Sequence, residues 1–284
     1  MTERPFSVAF LFGASLIAVC YFIGFVRLPE WTLLNISLHV LGVLVCIVNY
    51  FNEYLGFNQL SYSKFSKHVG SLNARLGWTI TYAMPAVTYD ILWFIYAKPS
   101  SPFHFIALGT YNAHFIKRIL ECLFVHKYSR NIEVMSVIQI GAFYTLGASV
   151  QHYWCNVYTS TNGGNQLMNN QTLLMVGFVA FIVGEFINFY HHALLASLRP
   201  KGSAPGNYVV PSGGLFDLLV CPHYFGELIG WFGMAILGQH SCLYLSWLSM
   251  VAYLAGRSHQ TREWYLNKLD HFPRERKNLF PYIY

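Results

Sequence analysis

Apolar runs long enough to cross a membrane recur along the whole chain, separated by short polar connections. A helix needs about 20 mostly apolar residues to span the hydrocarbon core of a bilayer. Such runs cover 6–26, 32–54, 76–97, 103–125, 134–158, 172–198 and 215–238, and a shorter one covers 242–256. The pattern predicts an all-α, polytopic membrane bundle of about seven or eight transmembrane helices.

Prolines and charges set the expected ends of these segments. Arg27 closes the first segment, and Ser100–Pro102 break the chain between the third and fourth. Pro85 predicts a kink in the third segment. Pro222 predicts a break in the seventh, because its fixed φ and missing donor interrupt a helix. The last segment is expected to end at Gly256, with a basic tail beginning at Arg257.

Positive charge marks one side of the predicted bundle. Counting eight crossings puts three connections and the tail on one side, and the connections carry Lys64, Lys67, Arg75, Lys127, Arg130, Arg199 and Lys201. The connections 159–171 and 239–241, which carry no charge, fall on the other side. Cytoplasmic loops are enriched in lysine and arginine. We therefore expect the basic side and both termini to face the cytosol.

Composition supports one integral membrane domain over 1–284. The chain is 55% hydrophobic and 11% charged, whereas a soluble domain is about 25% charged. Its net charge of +6 is scattered through short connections, so membrane lipid is the expected surrounding and nucleic acid is not an expected partner.

Cysteine and histidine patterns predict no metal site. The six cysteines include no CxxC pair, which argues against zinc and against a disulfide framework. Adjacent His191 and His192 point about 100° apart on a helix, and no HExxH pattern completes a site.

The fourth segment contains charged residues, which are costly in a segment that is expected to span a membrane. The stretch 114–126, HFIKRILECLFVH, places Lys117, Arg118 and Glu121 among apolar residues. Positions three and four apart share a helix face, so His114, a cation and Glu121 form a polar stripe. A charge at the centre of a membrane helix costs about 3 kcal/mol on insertion scales, and such residues usually pair or line a wet cavity. Two cations and one carboxylate suggest a pocket for an anionic ligand.

A second polar line runs along the sixth segment. Glu185, Asn188, His192 and Arg199 follow at spacings of three, four and seven, which keep them near one helix face. In the seventh segment, the break at Pro222 leaves backbone groups available for a ligand. The segment that follows the break, with His223, Tyr224 and Glu227, is therefore a candidate pocket.

The basic tail is the last candidate. Arg257, Thr261 and Tyr265 are four residues apart, and the surrounding cations are Arg262, Lys268, Arg274, Arg276 and Lys277. Guanidinium groups suit phosphate because of their fixed fork of donors.

Each of these patterns also has a structural interpretation. Lys117 and Glu121 can form an ion pair that only fixes helix packing. The tail can be an electrostatic patch that faces lipid headgroups. Tyr208, Tyr224 and Tyr265, taken singly, are typical of aromatic residues at a membrane interface.

Four motifs together resemble the family of steroid 5α-reductases and trans-2-enoyl-CoA reductases. They are HFIKRILECLFVHKYS, NFYHHALLASLR, VVPSGGLFDLLVCPHYFGELIGW and RSHQTREWYLNKLDHFPRERKNLFPYIY. These motifs lie within 114–284, the expected catalytic portion. The resemblance implies transmembrane helices that enclose a cavity for cofactor and substrate, with NADPH held at the cytosolic side. It also implies hydride delivery to a C=C bond conjugated to a carbonyl, and an endoplasmic reticulum membrane for a eukaryotic source.

The resemblance implies a set of cofactor-binding positions, which are Asn188, His192, Arg199, Tyr208, His223, Arg257 and Tyr265. Arg199 and Arg257 are the residues expected to hold the cofactor phosphates. Two positions depart from the steroid-reductase pattern, because His192 stands where an aspartate is usual and His223 where an asparagine is usual. Either histidine can still donate a hydrogen bond.

The substrate side separates two branches of the family. Trp78 and Phe115 stand where the steroid enzymes carry a glutamate and a tyrosine that polarise the steroid carbonyl. Lys117, Arg118 and Tyr224 instead resemble the enoyl-CoA reductase pattern of a Lys-Arg pair and a tyrosine after CPN. The stretches SGGLF and FGEL resemble the steroid branch, so both a steroid enone and an enoyl-CoA stay open as lipid substrates.

The implied chemistry assigns roles to four catalytic candidates. Tyr224 is the expected proton donor, Lys117 or Arg118 stabilises its deprotonated form, and Glu121 holds the cation. Other lipid-synthesis enzymes are a further expected class of partner.

Two other classes of function stay open. One is a membrane methyltransferase that uses S-adenosylmethionine. The other is a lipid transporter or lipid-binding protein, because intramembrane charges also line permeation paths. No pair of related halves supports a transporter.

Overall fold

The structure, a computed structural model, describes residues 6–65, 71–128, 131–159, 170–198 and 208–284. The helices are α1 Phe6–Phe22, α2 Leu33–Asn49, α3 Ala74–Tyr96, α4 Pro102–Leu120, α5 Val134–His152, α6 Gln171–Ser197, α7 Pro222–Gly238 and α8 Ser241–Lys268. Strands β1, Ser71–Leu72, and β2, Ile132–Glu133, form one short antiparallel pair. The structure is 75% helical, and the rest of the described chain lies in connections, which confirms the predicted all-α class.

Short non-α turns extend several helices. A π-helical turn continues α2 over Tyr50–Tyr54, α4 over Glu121–Val125 and α5 over Tyr153–Tyr158. Single 3₁₀ turns occupy Ser63–Phe65 and Gly214–Asp217. π turns are often found at functional sites, and the one after α4 carries Glu121.

Among the residues that the structure describes, three helical segments are long and apolar enough to span a bilayer. They are Leu33–Tyr54, Val134–Tyr158 and Gln171–Ser197, and they match the predicted segments 32–54, 134–158 and 172–198. The shorter apolar helix α1 lies before them. A count of seven or eight crossings stays a prediction.

The two carboxyl-terminal helices differ from the sequence prediction. Helix α7 begins at Pro222, not near Leu215. Proline is tolerated at the first helical position because its missing N–H would have no intrahelical partner there. Helix α8 does not end at Gly256 but continues to Lys268. It continues because Arg257 and Thr261 face inward and are buried, so polar residues there do not mark a solvated tail.

Helix α8 is the centre of the main core. It contacts α1, α2 and α7, and its Tyr244, Val251 and Ala255 are fully buried. On the opposite side of the fold, α3 packs on α4 and α5. The strand pair joins the start of α3 to the start of α5, with Leu72 paired to Ile132.

Glycines bring α6 and α7 into direct backbone contact. A Cβ atom at Gly184 would lie 2.1 Å from the backbone nitrogen of Gly230. One at Gly226 would lie 2.5 Å from the backbone nitrogen of Asn188. Small residues allow this close approach between membrane helices. The contact positions the polar residues of α6 against the first turn of α7.

We predict that Gly184→Ala destabilises the protein by about 2 kcal/mol, because the added methyl group must push two backbones apart. The measurement is thermal unfolding of the purified protein in detergent. Gly109→Ala is the matched control, since a Cβ atom at Gly109 meets nothing within 4 Å. Equal Tm values for the two variants would contradict the close α6–α7 packing.

Candidate active site

A cavity of about 210 Å³ lies among the helices beside the π turn of α4. Its wall combines rings and ionisable groups, including Tyr82, Arg118, His192, His223, Tyr224 and Glu227. These side chains come from α3, α4, α6 and α7. The structure therefore brings several of the predicted catalytic and cofactor residues to one site.

Arg118 is the centre of a buried charge network on this wall. Its Nη1 atom donates to the Glu121 carboxylate, three residues further along α4. The same Nη1 lies 2.7 Å from His192 Nδ1 on α6, and Nη2 donates to the Tyr82 hydroxyl at 2.8 Å. The guanidinium carbon also lies 4.8 Å from the centre of the Tyr82 ring. Arg118 thus joins α3, α4 and α6.

Lys117 makes its shortest contacts with α6. Its Nζ atom lies 2.6 Å from Glu185 Oε2 and 2.6 Å from Asn188 Oδ1. The contact with Glu121 predicted from helical spacing is present but longer, at 3.6 Å. His114 binds the other oxygen of Glu185 at 2.7 Å. The polar stripe of α4 is therefore neutralised mainly by the polar line of α6.

Asn188 extends this network of polar contacts to α7. Its amide nitrogen donates to the backbone carbonyl of His223 at 2.9 Å and approaches Glu227 Oε2 at 3.4 Å. Asn188 is fully buried and Glu227 nearly so. A continuous chain of polar contacts thus runs from Lys117 through Asn188 to Glu227 on the cavity wall.

Tyr224 belongs to a group of tyrosines at the other side of the cavity. Its hydroxyl is hydrogen-bonded to Tyr62, and the Tyr62 hydroxyl lies 2.6 Å from that of Tyr253. Tyr62 lies in the connection between α2 and α3. Burial raises the pKa of the Tyr62 phenol, and Arg257 beside it acts in the opposite direction. Tyr224 therefore lies in a protonated hydrogen-bonding network.

Arg257 holds the segment that carries Tyr62. Its guanidinium donates to Glu53 Oε2 at 3.2 Å and to the Leu60 carbonyl at 3.0 Å. It also lies over the rings of Tyr62 and Phe65, at 3.8 and 4.3 Å from their centres. In the structure Arg257 thus braces the residues around Tyr62, and a phosphate contact for it stays a prediction.

A second cavity of about 90 Å³ adjoins the first. Both cavities are lined by Ser63 and Leu195, so they share a wall. The second is also lined by Lys64, Tyr208 and Tyr265. Lys64 Nζ lies 4.1 Å from the centre of the Tyr265 ring. A cation and aromatic rings thus stand next to the polar cavity.

The predicted cofactor residues divide between these places. His192 and His223 line the first cavity, Asn188 lies behind its wall in contact with His223 and Glu227, and Tyr208 and Tyr265 line the second cavity. Arg199 lies outside the described residues. Sequence reasoning missed Tyr62 and Glu53 as supports, placed Glu185 in the polar line of the sixth segment without its partners, and used Lys64 only for orientation. For Lys64, its position two residues after Tyr62 in a basic connection was the available signal.

The residues present fit a pyridine nucleotide. Arg118 Nε and His223 Nδ1 are buried and have no hydrogen-bond partner among the described residues. Such atoms provide polar contacts for a bound amide or carbonyl group. The adjoining cavity offers Lys64 and two tyrosine rings, which suit an anionic ligand that contains rings.

One cluster near the cavity has the composition of a metal site. The potential ligand atoms of Glu121, His126 and His192 lie within 4.8 Å of one another. The Arg118 guanidinium, however, already contacts both Glu121 and His192. A positive group in that position repels a second cation, so the geometry favours an ion-pair network.

Comparisons with known proteins identify related sequences. The family model described as 3-oxo-5-alpha-steroid 4-dehydrogenase matches residues 130–284. The very-long-chain enoyl-CoA reductase of Dictyostelium discoideum is 30% identical over 77% of this chain and 77% of its own length. The steroid 5-alpha-reductase DET2 of Gossypium hirsutum is 28% identical over 70% of this chain and 84% of its own.

A third relative is named as a different kind of reductase. Polyprenal reductase 1 of Arabidopsis thaliana is 25% identical over 60% of this chain and 62% of its own. The family model covers more than half of the chain, and it includes α5 to α8 with the cavity residues of α6 and α7. The chain belongs to the 3-oxo-5-alpha-steroid 4-dehydrogenase family.

Proposed function

We propose that this chain is an NADPH-dependent membrane reductase of a C=C bond conjugated to a carbonyl in a lipid substrate. The observation that carries the proposal is the convergence of Tyr224, Arg118 and the chain from Lys117 to Glu227 on one cavity. The relatives support it, since they are named as reductases of steroid, enoyl-CoA and polyprenal compounds.

NADPH, when bound, supplies the hydride for the β-carbon of the substrate. Tyr224 is the proton donor, because its hydroxyl faces the cavity within a hydrogen-bonded network that includes Tyr62. Lys117 fixes Asn188, and Asn188 in turn fixes the first turn of α7. Arg118 is held by Glu121 and Tyr82, so its buried charge is preorganised toward the carbonyl oxygen on which negative charge develops.

The two cavities support a placement for the two parts of the cofactor. Asn188, His192 and His223 would hold the nicotinamide end beside Tyr224, and Lys64, Tyr208 and Tyr265 would hold the remainder. Arg199 and Arg257 stay proposed phosphate contacts. The connections that form the second cavity belong to the basic side of the chain, and a cytosolic orientation of that side would give NADPH direct access.

The cavity walls favour an extended enoyl substrate over a steroid. Trp78 lines the cavity, and Phe115 is fully buried among Tyr82, Tyr111 and Tyr144. Neither side chain offers the carboxyl or hydroxyl group that the steroid enzymes use at these positions. Polarisation of the carbonyl therefore falls to the Arg118 and Tyr224 side, as in the enoyl-CoA reductase pattern.

Further space for an apolar tail continues from the cavity. A neighbouring cavity of about 240 Å³ shares Ile140, Tyr144 and Leu254 with it. A fourth cavity, of about 90 Å³, shares Tyr144, Phe143 and Met250 with that neighbour. The shared residues come from α5 and α8 and are mostly apolar, while the cavity of 240 Å³ is also lined by Glu53, Gln139 and three asparagines. Together these cavities give room for an acyl or isoprenoid chain.

The function is tested by offering NADPH-loaded membranes two substrates side by side, a long-chain 2-enoyl-CoA and a 3-oxo-4-ene steroid. We expect NADPH oxidation with the enoyl-CoA at the higher kcat/KM. The control is S-adenosylmethionine binding to the purified protein, which we expect to be absent. Binding of S-adenosylmethionine without NADPH oxidation would contradict a reductase and favour a methyltransferase.

Tyr224→Phe should lower turnover about a hundredfold or more, because removal of one preorganised donor typically costs about 3 kcal/mol. NADPH affinity should stay within about twofold, since the ring is kept. Tyr96→Phe is the control, because Tyr96 is 57% exposed at the end of α3. Normal turnover of Tyr224→Phe in membranes would identify a different acid.

Arg257→Ala should raise the NADPH KM about tenfold, equivalent to ~1.4 kcal/mol, and change kcat at saturating NADPH much less. The reason is that Ser63, in the segment braced by Arg257, lines both cavities. The variant also leaves Glu53 buried and unpaired, which is strongly destabilising.

The double variant Glu53→Gln, Arg257→Ala separates these effects. We expect it to recover thermal stability relative to Arg257→Ala but to keep the raised NADPH KM. An unchanged KM in both variants would remove Arg257 from any role at the cofactor site.

A further inference from the structure

Three histidines cluster around the Arg118–Glu121 pair, and the proton transfer described so far involves none of them. His126 follows the π turn of α4, and its side chain is 20% exposed. His192 on α6 is buried, with its ring centre 4.8 Å from that of His126 and 5.2 Å from that of His223. The three rings thus form a row from a partly exposed position to the cavity wall.

The middle ring can change its protonation without moving. His192 Nδ1 lies 2.7 Å from a donor, Arg118 Nη1, and 3.0 Å from an acceptor, Glu121 Oε2. A neutral imidazole carries one N–H and one bare nitrogen. With a proton on Nδ1 the ring donates to Glu121, and without one it accepts from Arg118. Both tautomers therefore have a partner already in place.

Each end of the row of histidines lies near a group that can exchange a proton with it. At the partly exposed end, His126 Nε2 lies 3.8 Å from the same oxygen of Glu121. At the cavity end, His223 Nδ1 is buried and has no hydrogen-bond partner among the described residues. The His223 ring centre lies 4.3 Å from that of Tyr224. The ring spacings allow hydrogen bonds directly or through one water molecule.

The proposed reaction consumes one proton in each turnover. Hydride adds to the β-carbon, the C=C electron pair moves onto the conjugated carbonyl system, and Tyr224 gives the proton that completes the CH–CH product. Tyr224 is then a phenolate, and a proton from water must restore it before the next turnover. Tyr224 is half-buried on the cavity wall. Cofactor and substrate bound there would cover it, so the proton needs a separate route.

We infer that His126, Glu121, His192 and His223 form the proton path that restores Tyr224. This inference rests on the proposed function. Protons pass from water to His126, then through Glu121 and His192 to His223, which lies beside Tyr224. His192 and His223 are thus relay residues, and Arg118 positions the middle of the path by its contacts with Glu121 and His192.

The test compares single and multiple turnovers of His126→Gln. With enzyme in excess over an enoyl substrate, the first reduction uses the proton already on Tyr224, so NADPH oxidation should stay within about twofold of the unaltered protein. With substrate in excess, the rate should fall about tenfold or more, because a positioned acid–base group typically contributes at least that factor. Added imidazole should restore the multiple-turnover rate.

A purely structural role for His126 would predict an equal loss in both experiments and no recovery with imidazole. His271→Gln is the control, since His271 is an exposed histidine beyond α8. His126→Ala provides a second variant and should show the same split if its Tm is retained. Unchanged multiple-turnover rates in both variants, or equal losses in single turnover, would overturn the proton path. Failure of the unaltered protein to oxidise NADPH with any enoyl or enone substrate would instead overturn the proposed function and the path together.

Discussion

The buried ions of α4 and α6 impose the strictest constraint on this fold. Lys117 and Arg118 bring two cations into the bundle, and Glu121 and Glu185 match them with two carboxylates. Loss of one partner from a buried ion pair leaves an uncompensated charge, at a cost of about 3–5 kcal/mol. Helices α3, α4 and α6 must therefore keep the one arrangement in which every charge has its partner.

Close helix packing makes that arrangement possible. Because Gly184 and Gly226 let α6 and α7 touch along their backbones, the short Asn188 side chain reaches the carbonyl of His223. On the other side of the cavity, the Arg257–Glu53 pair fixes the segment with Tyr62. Tyr224 lies where these two networks meet, so both helix packing and ion pairing control the orientation of the proposed acid.

The sequence predicted the polar faces of helices and the apolar segments better than it predicted the partners of the charged side chains. Helical periodicity located the polar stripes of α4 and α6 and the bounds of α2, α5 and α6. It paired Lys117 with Glu121, four residues away, although Glu185 of α6 lies closer. It also could not pair Arg257 with Glu53, which is 204 residues away in the chain. Spacing along one helix defines a face, whereas partners across helices depend on tertiary packing.

The same limitation explains why α8 was predicted too short. A run of charged and polar residues after Gly256 is typical of a solvated tail. In this fold Arg257 is buried, and its ion pair with Glu53 and its contacts with aromatic rings offset the cost of removing its charge from water. The signal that remained in the sequence was the spacing of four between Arg257, Thr261 and Tyr265, which is the spacing of one helix face. In this chain, a regular polar spacing was better evidence for a buried helix than the number of apolar residues in the segment.

Charge balance also decides how the site can stabilise a reacting carbonyl. The formal charges of Lys117 and Arg118 are matched by Glu121 and Glu185, so the network supplies little net positive charge to the cavity. Stabilisation of a developing oxyanion must then come from oriented donors, such as the Tyr224 hydroxyl and Arg118 Nε, which is buried and without a hydrogen-bond partner among the described residues. Fixed donors stabilise a transition state because they need no reorganisation when the charge appears. The ion pairs therefore act by holding those donors rigid, and the donors rather than the net charge of the cavity determine the chemistry.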